Sequence, residues 1–173
     1  IPLYAATVVM IVYLLWNYPT IGCVMAFGAI IHTMCFLWMG KQGVSLSATR
    51  EHYYLQMSEK LHDSFGNLMN VYLNNMKGNE IRKNKQAEAL HTELLAKQFQ
   101  HTRNTVAMLS FISILTFFVT IGLLYDQTRA GVFSGTTFTA IWLIALLYLS
   151  NLLRLSDYIP FYLTKLGIVQ CSN

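Results

Sequence analysis

The chain has 173 residues, of which 54% are hydrophobic and only 12% charged, with a net charge of +4. Soluble domains carry about 25% charged residues, so an ordinary water-soluble enzyme or binding domain is excluded as the first reading. The charge is also segregated: no Asp, Glu, Lys or Arg occurs over 1–40, 104–125 or 130–153, runs of 40, 22 and 24 residues.

The first run, opening IPLYAATVVMIVYLLW, is long enough for two passes of a bilayer, each of which takes about 20 apolar residues. Asn17-Tyr18-Pro19 supplies the turn that divides it, giving apolar segments at about 1–16 and 20–39. The chain starts on Ile with no basic flank and no small-residue cleavage site, unlike a signal peptide. It reads as beginning inside a transmembrane helix, a piece of something longer. His32 is the histidine of the second segment, and ionisable groups at membrane depth often line a pathway. Cys23 and Cys35 lie about 18 Å apart along a helix, too far to bridge, and Cys171 makes the cysteine count odd.

The connection Lys41–Arg103 spans 63 residues and holds nine of the twelve basic residues, with six acids. Basic residues gather on the cytoplasmic side of membrane helices. The long connection is therefore expected in the cytoplasm, the short turns outside, and the chain's end, with Arg154 and Lys165, back inside. Met57, Leu61, Phe65, Leu68, Tyr72 and Met76 make a stripe at helical spacing, which faces a partner. Leu90, Leu94, Leu95 and Phe99 make a shorter one. Helix breakers concentrate at Asn74, Asn75, Gly78 and Asn79, with Gly40 and Gly43 as places for a kink. The expectation is two helices that leave the membrane and meet at Asn74–Asn79. From Thr20 to Leu73 the first would run about 80 Å at 1.5 Å per residue, against about 30 Å of hydrocarbon. The return helix, about Glu80 to Tyr125, is similarly overlong.

The last two apolar segments are expected at about 104–124 and 136–155, separated by a turn over Tyr125–Gly135. Arg154 and Asp157 are three residues apart, a spacing that pairs side chains on one helix face. With His32 they are the candidates for a cavity or gate. Pro160 ends or kinks the last helix. Trp16, Tyr18, Trp38, Tyr125 and Trp142 stand mainly near segment ends, where aromatic anchors sit. The expected fold class is all-α: a polytopic, multi-pass integral membrane protein whose long helices extend into the cytoplasm as a helical hairpin over 41–103.

Specific residues carry a family resemblance. In SEKLHDSFGNLMNVYLNNMKGNEIRKNKQ (58–86), Asp63, Asn67 and Val71 keep an E/D-x-x-x-N-x-x-x-V spacing, with Glu80 beyond them. In AGVFSGTTFTAIWLIALLYLSNLLRLSDYIPFYLTKLG (130–167), Gly135, Thr137 and Ala140 come in order before an L-S-x-x-I-P turn, here LSDYIP. Together these resemble the transmembrane domain of a type-1 ATP-binding cassette exporter, from the third helix, truncated, to the sixth. Two features depart from that pattern: Leu73-Asn74-Asn75 replaces an aromatic pair, and no Gly follows Thr137 directly. The resemblance implies that Asn75, Met76, Lys77, Gly78, Asn79 and Glu80 dock onto a nucleotide-binding domain, in the same or a separate chain. It also implies a homo- or heterodimer, and ATP and Mg bound in the nucleotide-binding domain rather than in this chain.

Within the chain no G-x-x-x-x-G-K-[ST] phosphate loop occurs, and His32, His52, His62, His91 and His101 show no metal-ligand spacing. No catalytic, cofactor-binding or metal-ligating residue is assigned. Lys77, Arg82, Lys83 and Lys85 are better explained by the positive-inside bias than by nucleic acid, since Glu80 sits among them and no nucleic-acid motif accompanies them. A reading from another class is a stand-alone four-segment membrane scaffold or assembly protein that binds a partner through its cytoplasmic hairpin.

Overall fold

In the computed structural model, residues 2–66, 69, 73 and 77–158 are described, and they form helices joined by short turns. Among the described residues four helices follow one another: α1 over Pro2–Asn17, α2 over Pro19–Gly66, α3 over Lys77–Arg129 and α4 over Gly135–Asp157. No strand occurs among the described residues. The helices α2, α3 and α4 are long and apolar enough to cross a membrane. The 16 residues of α1 make about 24 Å of helix at 1.5 Å per residue.

The local sequence accounts for each boundary. Tyr18 breaks the helix, and Pro19 opens α2, where its missing N–H costs nothing. The corner is tight: a methyl group on Gly22 would lie 2.5 Å from Leu15 N and 2.7 Å from Leu14 C. Only a glycine lets α2 come so close to the α1 backbone. Gly40 and Gly43 do not break α2, since a glycine costs a helix only about 1 kcal/mol relative to alanine.

Two expected turns are corrected. The helix α3 runs past Tyr125 to Arg129, and the turn is confined to 130–134. Gly131, at φ 76°, stops it: Gly131 N–H donates to Thr128 O and Val132 N–H to Gln127 O, the paired bonds of a Schellman ending. Ser134 then caps α4, its hydroxyl accepting from Thr137 N–H at 3.2 Å. The second correction concerns Gly78 and Asn79, expected in the hairpin turn but lying in the first turn of α3. First-turn N–H groups have no intrahelical partner in any case, so residues that break a helix interior cost little there. Asn67, Leu68, Val71, Tyr72, Asn74, Asn75, Met76, Pro160, Lys165 and Cys171 lie outside the described residues.

The chain divides into two compact units, one containing the residues up to Met39 and from Asn104, the other Gly40–Arg103. The first has a core of Leu14, Ile21, Met25, Leu124, Ile141, Tyr148 and Leu152, with every helix contributing. Its outward surface is as apolar as its core. On α2 Phe27, Ile30, Met34 and Leu37 are more than half exposed, as are Phe111 and Phe118 on α3. An apolar surface on both sides suits a hydrocarbon solvent, not water.

Helix directions in this unit follow from its contacts. Tyr148 donates its hydroxyl to Met25 O at 2.9 Å, and His32 Nε2 lies 3.3 Å from Ser156 Oγ. Moving seven residues along α2 thus moves eight along α4 in the same sense, so the two helices run parallel. The helix α3 is brought against α2 where Gly28 meets Thr116.

In the second unit α2 and α3 pair in the opposite sense. Gln98 Nε2 donates to Ser47 Oγ at 3.4 Å, the rings of Tyr54 and His91 lie 5.7 Å apart, and Ser64 donates to Glu80 Oε2 at 3.0 Å. As the position rises along α2 it falls along α3, which is an antiparallel hairpin. Its apolar pattern differs from the expected stripe. Met57 and Leu61 are half-buried, but Phe65, Met69 and Leu73 are 69%, 75% and 76% exposed. A repeat of four advances about 40° round a helix of 3.6 residues per turn, so positions 57, 61, 65, 69 and 73 wind off the paired face. On α3 the buried position is Gln98, while Phe99 is 66% exposed.

Candidate functional site

Two places carry the residues singled out in the sequence, one in each unit. In the first unit, His32 and Ser156 are 1% and 0% exposed, polar side chains facing each other across α2 and α4. The Ser156 hydroxyl also donates to Leu152 O at 3.1 Å. With its hydrogen used there, Ser156 Oγ accepts from His32 Nε2–H, which leaves Nδ1 as the unprotonated ring nitrogen. No hydrogen-bond partner reaches Nδ1. Ser156 is the serine of LSDYIP, which carried no expectation of a contact with His32; its spacing from Tyr148 and Leu152 places it on the buried face of α4.

Arg154 and Asp157 flank Ser156 and are exposed. The expected ion pair between them is not formed: the ion pairs among the described residues are Arg50–Glu51, Lys83–Glu80 and Lys97–Glu93. Each long side chain has water or a membrane interface to turn to, which leaves little gain in holding an exposed pair together.

In the second unit, Lys77, Gly78, Asn79 and Glu80 start α3, and Asn75 and Met76 lie outside the described residues. Gly78 and Asn79 are exposed, while Glu80 is half-buried. Glu80 is held at both oxygens, by Lys83 at 2.9 Å and by Ser64 of α2 at 3.0 Å. Those bonds, that of Lys83 foremost, hold its carboxyl below the ordinary carboxylate range. An acid in the first turn also meets the positive end of the helix dipole. Glu80 therefore braces the two helices rather than presenting a free charge. Arg82 donates to Asn79 Oδ1 at 3.3 Å.

Behind this brace lies a groove of about 580 Å³ between α2 and α3, where Met57, Ala87 and Leu90 mix with Lys60, Asp63 and the Glu80–Lys83 pair. Charges of both signs line it. Among the described residues no group of three or more His, Cys, Asp or Glu is placed to hold a metal ion. His52 bonds Gln56 at 3.0 Å and His91 meets Tyr54, so these two histidines have structural neighbours. No protein-family model matches the chain, and no curated protein matches it either.

Proposed function

We propose that the chain is the transmembrane portion of an ATP-driven exporter, forming part of a substrate pathway and coupling it to a nucleotide-binding domain through residues 75–80. The observation that carries this reading is the length of two helices. The 48 residues of α2 and 53 of α3 make about 72 and 80 Å of helix at 1.5 Å per residue, roughly twice what a bilayer needs. Each combines an apolar stretch with a charged one, and the charged stretches pair as a hairpin. Helices of this kind are suited to act as levers. ATP binding in a partner domain would move the hairpin, and the membrane helices would shift between inward- and outward-facing arrangements, a population shift driven by differential affinity.

The exposed Phe65, Met69 and Leu73 offer apolar side chains for docking, and the Ser64–Glu80 bond ties the two helices together. ATP and Mg belong to the partner domain. A dimer follows from the same reading.

Two experiments test it. The reading frame before Ile1 and after Asn173 is sequenced: two further apolar segments upstream and a phosphate-binding loop downstream, or in a neighbouring gene, support the exporter. A start codon just before Ile1 with a stop after Asn173, and no such partner gene, supports the scaffold reading instead. In the complete transporter, Lys77→Glu is expected to uncouple transport from ATP hydrolysis while membrane insertion is unchanged. Unaltered transport in that variant overturns the docking role.

A further inference from the structure

Among the described residues of the first unit, His32 and Ser156 make a buried polar contact between side chains of two membrane helices whose strength depends on a proton. His32 lies eight residues before Gly40, where the first charge-free run ends, or about 12 Å along the helix. Its ring is buried, its Nε2 faces Ser156 Oγ at 3.3 Å, and its Nδ1 has no partner.

The surroundings decide what a second proton on this ring would do. On α3 no Asp, Glu, Lys or Arg occurs from Asn104 to Tyr125, and α1 has none at all. On α4 the charged neighbours are Arg154 and Asp157, both exposed and neither in an ion pair with the ring. On α2 itself the other titratable side chains before Lys41 are Cys23 and Cys35. An imidazolium held in this place has no counter-charge among the described residues and one orphaned N–H. A buried charge without a partner costs several kcal/mol, more than one hydrogen bond between membrane helices contributes. The neutral ring joins α2 to α4, and the charged ring must reach water or a headgroup.

We propose that His32 is a proton-binding latch. Neutral, it fastens α2 to α4 through Ser156; protonated, it releases that end of the pair and admits water between the two helices. The partner taken up is a proton, and the device lies wholly in the first unit. It stands whether or not the chain couples to an ATP-hydrolysing domain.

The test uses the full chain in lipid nanodiscs, with Cys23, Cys35 and Cys171 replaced by serine. Spin labels are placed at the exposed positions Met34→Cys on α2 and Tyr158→Cys after α4. The label-to-label distance is read by pulsed electron resonance at pH 8 and pH 5. Acidification is expected to lengthen it by about 2 Å or more, the scale of helix shifts at interfaces. His32→Gln keeps a neutral donor that does not titrate and is expected to hold the pH 8 distance at both values. Ser156→Ala removes the partner and is expected to open at a higher pH than the parent chain. An unchanged distance in the parent, or the same response in His32→Gln, overturns the proposal. So does a Ser156→Ala midpoint equal to that of the parent, which also serves if His32→Gln fails to insert.

Discussion

Gly28 of α2 and Thr116 of α3 touch so closely that a methyl group on Gly28 would lie 2.5 Å from Thr116 Oγ1 and 2.9 Å from its Cβ. Thr116 is not free to turn aside, because its hydroxyl donates to Ile112 O at 2.8 Å. Small residues that let backbones approach, with hydroxyls bonded inside their own helix, are how membrane helices associate without a hydrophobic drive between them.

The first prediction follows. Gly28→Ala gains about 1 kcal/mol of helix propensity but overpacks the contact at a cost of about 1–3 kcal/mol. The net effect is expected to be destabilising. Thr116→Ala in the same chain removes the hydroxyl and methyl and recovers part of the loss, but not the contact at Cβ. Thermal unfolding of the two single variants and the double variant in detergent measures the coupling. Additive effects would mean that the two residues do not meet.

The second prediction concerns pH at the start of α3. Bonds from Lys83 and Ser64 lower the Glu80 pKa. A carboxylate with a lowered folded pKa stabilises the paired state above its ordinary value of about 4.3, and that contribution is lost as pH falls through the lower folded value. Protection of the amides over 80–87 against hydrogen exchange, taken relative to the intrinsic rate at each pH, should therefore fall in acid. Glu80→Gln should remove this dependence. In Ser64→Ala the Glu80 carboxyl, followed by carbon NMR, should titrate closer to the ordinary value. No change in Ser64→Ala would mean that the bond between the helices is not made in solution.

How much of this was legible in the sequence depends on which force set each feature. The helical class was legible because charge-free runs and the scarcity of proline leave few other options. The corner at Asn17–Pro19 was legible because proline fixes its own φ. The α3 ending was misread, although Gly131 marked it, because Asp126–Arg129 looks like a polar turn when it is one more turn of helix. Of the stripe from Met57 to Met76, read as one face, Met57 and Leu61 are half-buried and Phe65 looks outward, while Leu68, Tyr72 and Met76 lie outside the described residues. His32 was legible as an ionisable group at depth, while Ser156, although part of LSDYIP, gave no sign of meeting it, since a serine on an apolar helix carries no such signal until its neighbour is known. Gln98 was missed for the opposite reason, as a polar residue expected outside and found inside.

The third prediction concerns orientation. Nine of the twelve basic residues lie over 41–103, so the hairpin is expected in the cytoplasm and the turn at 130–134 outside. In intact cells, with the native cysteines replaced, a membrane-impermeant maleimide should label Val132→Cys directly and Lys85→Cys only after permeabilisation. Both positions are exposed, so failure to label reports the side of the membrane rather than burial. The reverse pattern would invert the topology and remove the hairpin from the reach of cytoplasmic ATP.

The last prediction weighs a hydrogen bond against an unmet one. Gln98 is 8% exposed; its Nε2 reaches Ser47 Oγ at 3.4 Å, and its Oε1 has no partner. A buried carbonyl left unpaired costs about 1–3 kcal/mol, whereas a neutral hydrogen bond contributes about 0.5–1.5 kcal/mol net. The orphaned atom therefore outweighs the bond that is made. Gln98→Leu, which is one bond shorter and discards both polar atoms, is expected to stabilise the isolated chain or leave it unchanged. Ser47→Ala, which strands the amide nitrogen as well, is expected to destabilise it by about 1 kcal/mol or more. Chemical denaturation of each variant in the same detergent decides the order. If Gln98→Leu is the more damaging of the two, the amide oxygen is satisfied in solution, and a water or a partner chain must be supplying its donor.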